Sequence, residues 1–153
     1  MHVTIRHGGI FLAALLFTSC TATRHPGDLT VAELFQRGRE FNGKRVAVIG
    51  YYVAGVEQTC LYTSPDAERH WEWLEDGIFP REIWVEPGSR RVSRLTGRYV
   101  RVVGIFHYRP TFRREIQKRD DGREFESIIT EGYGHMAGSP AEITNVTSFR
   151  PLR

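Results

Sequence analysis

The sequence lacks the short motifs by which common catalytic and metal-binding sites are recognised. It contains no Gly-x-Ser-x-Gly nucleophile motif, no His-Glu-x-x-His zinc motif and no phosphate-binding glycine loop. The histidines after the N-terminal segment do not have the spacing of zinc ligands; they are His25, His70, His107 and His135. These absences predict a protein that needs no metal and no cofactor, and they argue against an enzyme.

Cysteine and long hydrophobic runs are also scarce. The chain has two cysteines, Cys20 and Cys60. Its N-terminal apolar segment, residues 8–17, is much shorter than the roughly 20 residues that a helix needs to cross a membrane. Cys60 lies in a strand-like setting, which predicts a buried and inert thiol; a thiol that reacts or pairs with another chain is the alternative.

The N-terminal segment ends at a cysteine that follows small residues. Arg6 precedes the apolar stretch, and Thr18 and Ser19 stand directly before Cys20. Small side chains are those that a signal peptidase admits beside the bond it cleaves. The segment therefore resembles the signal of bacterial lipoproteins. An ordinary secretory peptide cleaved after Ala22 is the alternative, and it also predicts export.

The resemblance to lipoproteins implies a membrane anchor without a membrane-spanning helix. The Cys20 thiol would carry acyl chains such as palmitate and become the first residue of the mature chain, tethered to a bilayer. Residues 1–19 would then be the signal peptide, residues 20–28 a flexible tether and residues 29–153 the folded domain. In lipoproteins of enteric bacteria, a residue other than Asp after the cysteine directs the protein to the outer membrane. Thr21 follows the cysteine here, so the resemblance implies a cell-envelope protein that faces the periplasm, at the outer membrane rather than the inner one.

The charge of the chain is nearly balanced but unevenly distributed. The sequence has 21 basic and 18 acidic residues, while residues 81–123 alone hold twelve Arg or Lys against five Asp or Glu. Such a segment suits phosphates, anionic lipid heads or acidic glycans. Because both signs are mixed throughout, we favour the alternative that the arginines decorate exposed strand faces and loops.

A repeat is the strongest structural signal in the sequence. Residues 43–52, GKRVAVIGYY, reappear as residues 97–106, GRYVRVVGIF. In both copies the valines two apart predict a strand with one buried face. Gly50 and Gly104 follow the valines and mark places where a strand bends sharply or admits a neighbouring backbone. Such bends let a small sheet close into a barrel.

Capping and turn residues delimit the other elements. Thr30 and Glu33 form a capping box that begins a helix, which Gly38 should end. Ser64 caps a second helix, which should continue to near Gly77. The remaining predictions are strands at residues 57–63, 82–86 and 141–149, and a protruding hairpin formed by residues 112–119 and 123–130 around an Asp-Asp-Gly turn.

Five strands with one or two short helices and an inserted hairpin predict a mainly β fold, a small Greek-key barrel. The pattern G-x-x-V-x-V-x-G occurs at residues 43–50 and again at residues 97–104, and I-x-x-V follows at residues 143–146. This arrangement resembles the OB-fold. It is also similar to bacterial lipoproteins that end in a Gly-His phrase, here residues 134–138, followed by a final strand.

The resemblance to the OB-fold implies a non-enzymatic binding or scaffolding module. OB-folds bind ligands on the face of their second and third strands, where Tyr62 and Trp84 would provide stacking surfaces. Arg109 and Arg113 would add charge, and His135 completes the candidate ligand-binding set. The alternative for Tyr62 and Trp84 is the barrel core. Nucleic acid is a poor target for an exported protein, so we expect an envelope protein or a glycan as the partner, besides the membrane that holds the lipid.

A periplasmic hydrolase-like enzyme is the alternative function. His135 would form an acid–base pair with Glu126 or Glu131, because histidine titrates near neutral pH and a neighbouring carboxylate can orient it. The simpler interpretation gives His135 hydrogen bonds within a loop that closes the barrel, flanked by Gly134 and Gly138.

Overall fold

A computed structural model describes residues 25–56, 58–70, 72–74, 77–86, 93–134 and 137–152. The predicted signal peptide, the lipid-attachment residue Cys20 and the candidate site residue His135 lie outside the described residues. Within them the chain forms, in order, β1 (Leu29–Thr30), α1 (Val31–Gln36), α2 (Gly38–Phe41), β2 (Arg45–Ala54), β3 (Thr59–Tyr62), α3 (Pro65–His70), β4 (Glu82–Val85), a 3-10 turn (Ser93–Leu95), β5 (Arg98–Tyr108), β6 (Phe112–Lys118), β7 (Glu124–Thr130) and β8 (Ala141–Pro151).

In the described part of the chain, five strands close into a mixed β-barrel. They pair in the order β2, β3, β4, β8, β5, and β5 returns to pair with β2. The pairing of β4 with β8 is parallel and the others are antiparallel. β1 lies alongside β2, and β6 and β7 form a separate hairpin between β5 and β8. The predicted mainly β fold, a five-stranded barrel with short helices and an inserted hairpin, is confirmed.

Alternation along the strands directs one face of each into the barrel. Val46 and Val48 of β2 meet Val100 and Val102 of β5, and all four are buried. The other core residues of the barrel strands are Tyr52, Leu61, Ile83, Val85, Phe106, Ala141 and Ile143.

The sequence repeat is also a structural repeat. In the antiparallel register of β2 and β5, Val46 lies opposite Gly104, and Gly50 lies opposite Val100. Val46 and Val100 are equivalent in the two copies, and so are the two glycines. Equivalent residues therefore exchange partners, which is the pairing that a local two-fold axis between the strands produces.

Both repeat glycines allow close packing that no other residue would permit. A Cβ on Gly50 would lie 2.8 Å from the Val31 side chain of α1, and a Cβ on Gly104 would lie 2.5 Å from the Ile143 side chain of β8. The predicted close approach at these positions is confirmed, since α1 and β8 pack directly on the glycines.

The first helix differs from the prediction at its end. The capping box is present, because the hydroxyl of Thr30 accepts from the backbone N–H of Glu33 and the Glu33 carboxylate accepts from the N–H of Thr30. However, α1 ends at Gln36, and Gly38 begins α2 instead of terminating a helix. A Cβ on Gly38 would lie 2.7 Å from the ring of Tyr108, so this glycine serves packing rather than capping.

The helix that starts after Ser64 is shorter than predicted. Ser64 Oγ accepts from the N–H of Ala67 at 3.0 Å, which confirms the predicted cap. The helix ends at His70, and Trp73 then forms an antiparallel bridge with Pro80. The bridge supplies backbone hydrogen bonds that a longer helix would otherwise have provided.

Asp28 anchors the start of the domain, although the sequence assigns it to the tether. It is 2% exposed, and the guanidinium of Arg101 on β5 donates to both of its carboxylate oxygens at 2.8 to 3.0 Å. Burial by itself would raise the pKa of Asp28. The hydrogen bonds from Arg101 and from the backbone N–H of His25 outweigh burial, so the pKa lies below its ordinary value. The folded domain therefore includes Asp28.

Replacing Gly104 by alanine is expected to lower the free energy of unfolding by about 1–3 kcal/mol, because the new methyl group would overpack the contact with β8. Besides Ile143, it would meet the carbonyl oxygen of Thr144 at 2.6 Å. Chemical denaturation measures the change. Gly55→Ala is the matched control, since the nearest atom to its added Cβ is 3.9 Å away. An equal loss in both variants would contradict the packing role of Gly104.

Replacing Asp28 by asparagine is expected to lower the free energy of unfolding at pH 7 by about 2–3 kcal/mol, since it leaves Arg101 without its buried partner. The pKa of Asp28 is lowered in the folded state. The contribution of Asp28 to the free energy of unfolding is therefore fully present above the ordinary carboxyl pKa. It is lost as the pH falls through the lower pKa of the folded state.

Thermal denaturation of the wild type and Asp28→Asn from pH 7 to pH 2 checks this assignment. The difference in Tm should shrink as the pH falls below about 4. Asp66→Asn, which removes the charge of an exposed ion pair with Arg69, should change Tm little at any pH. A constant Tm difference for Asp28→Asn down to pH 2 would contradict the proposed pairing.

Candidate ligand-binding cavity

β3 and β4 present two different faces. Leu61 and Ile83 point into the barrel core. The alternate residues Cys60, Tyr62 and Trp84 belong to a second cluster of packed side chains, separate from that core. Tyr62 and Trp84 therefore lie on the outer face of the barrel. The alternative given in the sequence analysis, that both residues belong to the barrel core, does not apply.

The connection between β7 and β8 covers part of this outer face. Within this connection, Tyr133 and Ser139 exchange backbone hydrogen bonds of 2.6 and 3.1 Å. Gly134 has a φ of 73° and lies against the indole of Trp84, with which a Cβ at this position would collide. Gly134, the first residue of the Gly-His phrase singled out in the sequence, thus packs on Trp84.

A cavity of about 590 Å³ opens on the outer face of β3 and β4. This volume is in the range of ordinary ligand sites, about 300–1,000 Å³. Val56 is fully exposed and Trp73 is 49% exposed, although both line the cavity. The described residues that line it are Gly55, Val56, Gln58, Cys60, Trp73, Ile78, Pro80, Glu82, Trp84, Thr130, Gly138 and Ser139.

A buried carboxylate lies among these mostly apolar walls. Glu82 is 7% exposed. The Tyr62 hydroxyl donates to its Oε2 at 2.7 Å, and the Ser139 hydroxyl donates to its Oε1 at 2.5 Å. The side-chain amide of Gln58 in turn donates to the Tyr62 hydroxyl. These four side chains form one hydrogen-bonded polar cluster, which fixes the Glu82 carboxylate in place.

The other titratable groups of this face are held in their neutral forms. Burial raises the pKa of the Cys60 thiol, and the nearby Glu82 raises it further. Burial likewise raises the pKa of Tyr62, with Cys60 and Glu82 adding to the effect. Cys60 is therefore not a nucleophile at neutral pH, in agreement with the buried and inert thiol that the sequence predicts.

Among the described residues of the predicted set, Trp84 lines the cavity, and Tyr62, Arg109 and Arg113 do not. Tyr62 is 3% exposed and lies outside the lining. The guanidinium of Arg109 stacks over the ring of Tyr133 at 5.1 Å and donates to the carbonyl of Gly132 at 3.3 Å, so it supports the loop.

Of the remaining predicted residues, Arg113 and the candidate carboxylates lie on or next to the hairpin, and His135 lies outside the residues that the structure describes. Arg113 forms surface ion pairs with Glu115 at 2.9 Å and Glu131 at 3.9 Å. Glu126, the other candidate carboxylate of the enzyme alternative, pairs with Arg114 at 3.2 Å. Both carboxylates proposed to act with His135 thus have arginine partners.

Several residues of the cavity were missed by sequence reasoning. Glu82 and Trp84 are two residues apart on β4 and therefore share one face of the strand. The pattern Glu-x-Trp is the signal that could have placed both side chains on the outward face. Gln58 and Ser139 stand in loops, and nothing local in the sequence indicates that they meet Tyr62 and Glu82. Among the described residues, no group of three or more His, Cys, Asp or Glu side chains is arranged to hold a metal ion.

Comparison with known proteins gives no relative from which a function could be inferred, so the functional argument rests on the cavity. No protein-family model, no curated protein and no solved structure matches the chain. No helix in the described ranges is long and apolar enough to cross a membrane.

Replacing Gly134 by alanine is expected to destabilise the protein and to change the tryptophan emission, because the methyl group would displace the indole of Trp84. Gly122→Ala is the matched control. Gly122 has a similarly positive φ of 81°, but an added Cβ there meets no atom within 4 Å. Denaturation followed by fluorescence should show a backbone cost of about 1 kcal/mol in both variants. For Gly134→Ala alone, we expect a further decrease in the free energy of unfolding and a change in the tryptophan emission. Indistinguishable variants would contradict the packing on Trp84.

Proposed function

We propose that this protein is an exported, lipid-anchored component of the cell envelope that acts as a non-enzymatic binding module. Its partner is an extended segment of an envelope protein, held in the cavity on the outer face of β3 and β4. The lipid on Cys20 keeps the module at the membrane, and the sequence pattern before that cysteine is the basis for this part of the proposal.

The observation that carries the proposal is an apolar cavity whose rim is exposed. Trp73, Val56, Ile78 and Pro80 line it, and the first two present large apolar surfaces to solvent. A contiguous exposed apolar surface on a small domain is typical of an interaction site. The position of the cavity agrees with the resemblance to the OB-fold, in which the second and third barrel strands carry the ligand.

The hairpin extends this surface away from the cavity. Thr130 lines the cavity at the end of β7, and alternation places Ile128 on the same face of the hairpin. Ile116 of β6 shares that face. Ile128 and Ile116 are 47% and 67% exposed. The same face also carries the ion pairs Arg114–Glu126 and Lys118–Glu124. A surface of exposed apolar side chains and ion pairs that runs from a cavity along a strand of seven residues, about 23 Å, suits an extended polypeptide better than a single sugar.

The base of the hairpin is fixed against the cavity wall. The ring of Phe112 on β6 packs edge-on against Phe79 at 6.5 Å, and Phe79 is fully buried between two lining residues. Phe112 pairs with Thr130 and therefore shares the face that carries Ile128. This contact orients the hairpin face that carries Ile128 and Ile116 toward the cavity.

Site-specific photo-crosslinking in the native cell tests the proposal. A benzophenone amino acid at Ile128 or at Val56 is expected to capture the same envelope protein. The matched control is Phe125, which is exposed on the opposite face of the same strand. Ile116→Asp should abolish capture from Ile128, because it replaces an exposed apolar side chain of this face by a charged one.

The outcomes separate the alternatives. Equal capture from Phe125 and Ile128 would overturn the proposal. Capture of no protein from Ile128 and none from Val56 would also overturn it, and a glycan would then be the better candidate for the ligand. The same experiment with Cys20→Ala tests the anchor, since loss of the lipid should reduce capture by removing the module from the membrane.

A further inference from the structure

The Glu82 carboxylate is buried at the cavity and has no cationic partner among the described residues. Its two oxygens accept hydrogen bonds from the hydroxyls of Tyr62 and Ser139. Hydroxyls are neutral donors and leave the negative charge uncompensated. No ion pair joins Glu82 to a basic side chain within the described part of the chain. Buried charges in proteins are normally paired, so this arrangement points to a positive charge that arrives with the ligand.

The remainder of the cavity favours the same kind of ligand. Glu82 is the one formally charged side chain among the described lining residues. A single negative charge in a site with apolar walls attracts a cation more strongly than it would in water, because the local dielectric constant is lower. Each oxygen of the carboxylate also has a second lone pair, which can accept from an ammonium or guanidinium donor.

The apolar walls specify an organic cation with a long apolar stem. Ile78, Pro80, Trp73 and Trp84 line the same cavity as Glu82. Lysine and arginine bury their methylene stems against such surfaces, and indoles add attraction for the charged head. A hard metal ion would instead require several oxygen ligands, and the described residues offer no such group.

We infer that the cavity takes a lysine or arginine side chain of the bound polypeptide, with its charged head on Glu82 and its stem between the tryptophans and the aliphatic wall. This inference rests on the proposed binding function and adds the chemical class that the cavity selects. The hairpin face of Ile128 and Ile116 would then contact apolar residues beside that basic residue.

Titration of the purified mature chain with two blocked pentapeptides tests the inference. Both have valine and leucine flanks; one has lysine at its centre, and the other has norleucine, which keeps the stem but lacks the charge. Tryptophan emission provides the readout, because Trp73 and Trp84 line the cavity. The lysine peptide is expected to bind at least tenfold more tightly than the norleucine peptide.

Two variants assign the preference to Glu82. Glu82→Gln should bring the two peptide affinities to within about twofold by weakening the lysine peptide alone. Glu126→Gln removes a carboxylate of the hairpin face and should preserve the preference for lysine. Thermal denaturation checks that both variants fold; if Glu82→Gln does not, the comparison of the peptides on the wild type still decides whether a cation is selected.

The results distinguish this inference from the proposed function. Equal binding of the two peptides would overturn the selection of a cation while retaining a polypeptide-binding cavity. Binding of neither peptide would count against both. Saturable binding of choline with no binding of the lysine peptide would overturn the inference in favour of a lipid headgroup. Loss of the lysine preference in Glu126→Gln would transfer the recognition from Glu82 to the hairpin.

Discussion

The antiparallel pairing of β2 with β5 is the constraint on which the rest of the structure depends. These two strands carry the sequence repeat, and their contact closes the barrel. The closure requires Gly50 and Gly104, because α1 and β8 pack where a Cβ would stand. Once the barrel is closed, the alternation of side chains fixes which residues of β3 and β4 face inward and which face outward. Their apolar residues fill the interior, and their polar and aromatic residues must face outward.

That outward face explains how so small a domain holds a buried carboxylate. Glu82 is excluded from the barrel interior by its register, and Ser139, in the connection before β8, donates a hydrogen bond to it. The hydroxyls of Tyr62 and Ser139 compensate part of the lost hydration. Burying a charge in this way contributes little to stability. Its value on our proposal lies in selecting the ligand, while the apolar rim and the hairpin supply contact area.

The sequence predicted the elements whose signals are local. The capping box of Thr30 and Glu33, the cap at Ser64, the hairpin around its Asp-Asp-Gly turn and the repeat strands were all confirmed. Glycines were the main source of error, since a residue without a side chain gives the same signal for a helix end and for close packing. Gly38 contacts Tyr108, which is 70 residues later, and no local pattern indicates that contact.

The sequence by itself therefore determined which segments become strands and which of their residues share a face, because a period of two is a property of the extended backbone. It also suggested Trp84 as a site residue. Only the tertiary structure decided that Asp28 is fixed to Arg101, that Tyr62 serves Glu82 and does not line the cavity, and that Gln58 and Ser139 complete the polar cluster. The physical reason is separation along the chain: Ser139 reaches Glu82 across 57 residues, and such a contact exists only after β4 and β8 have paired.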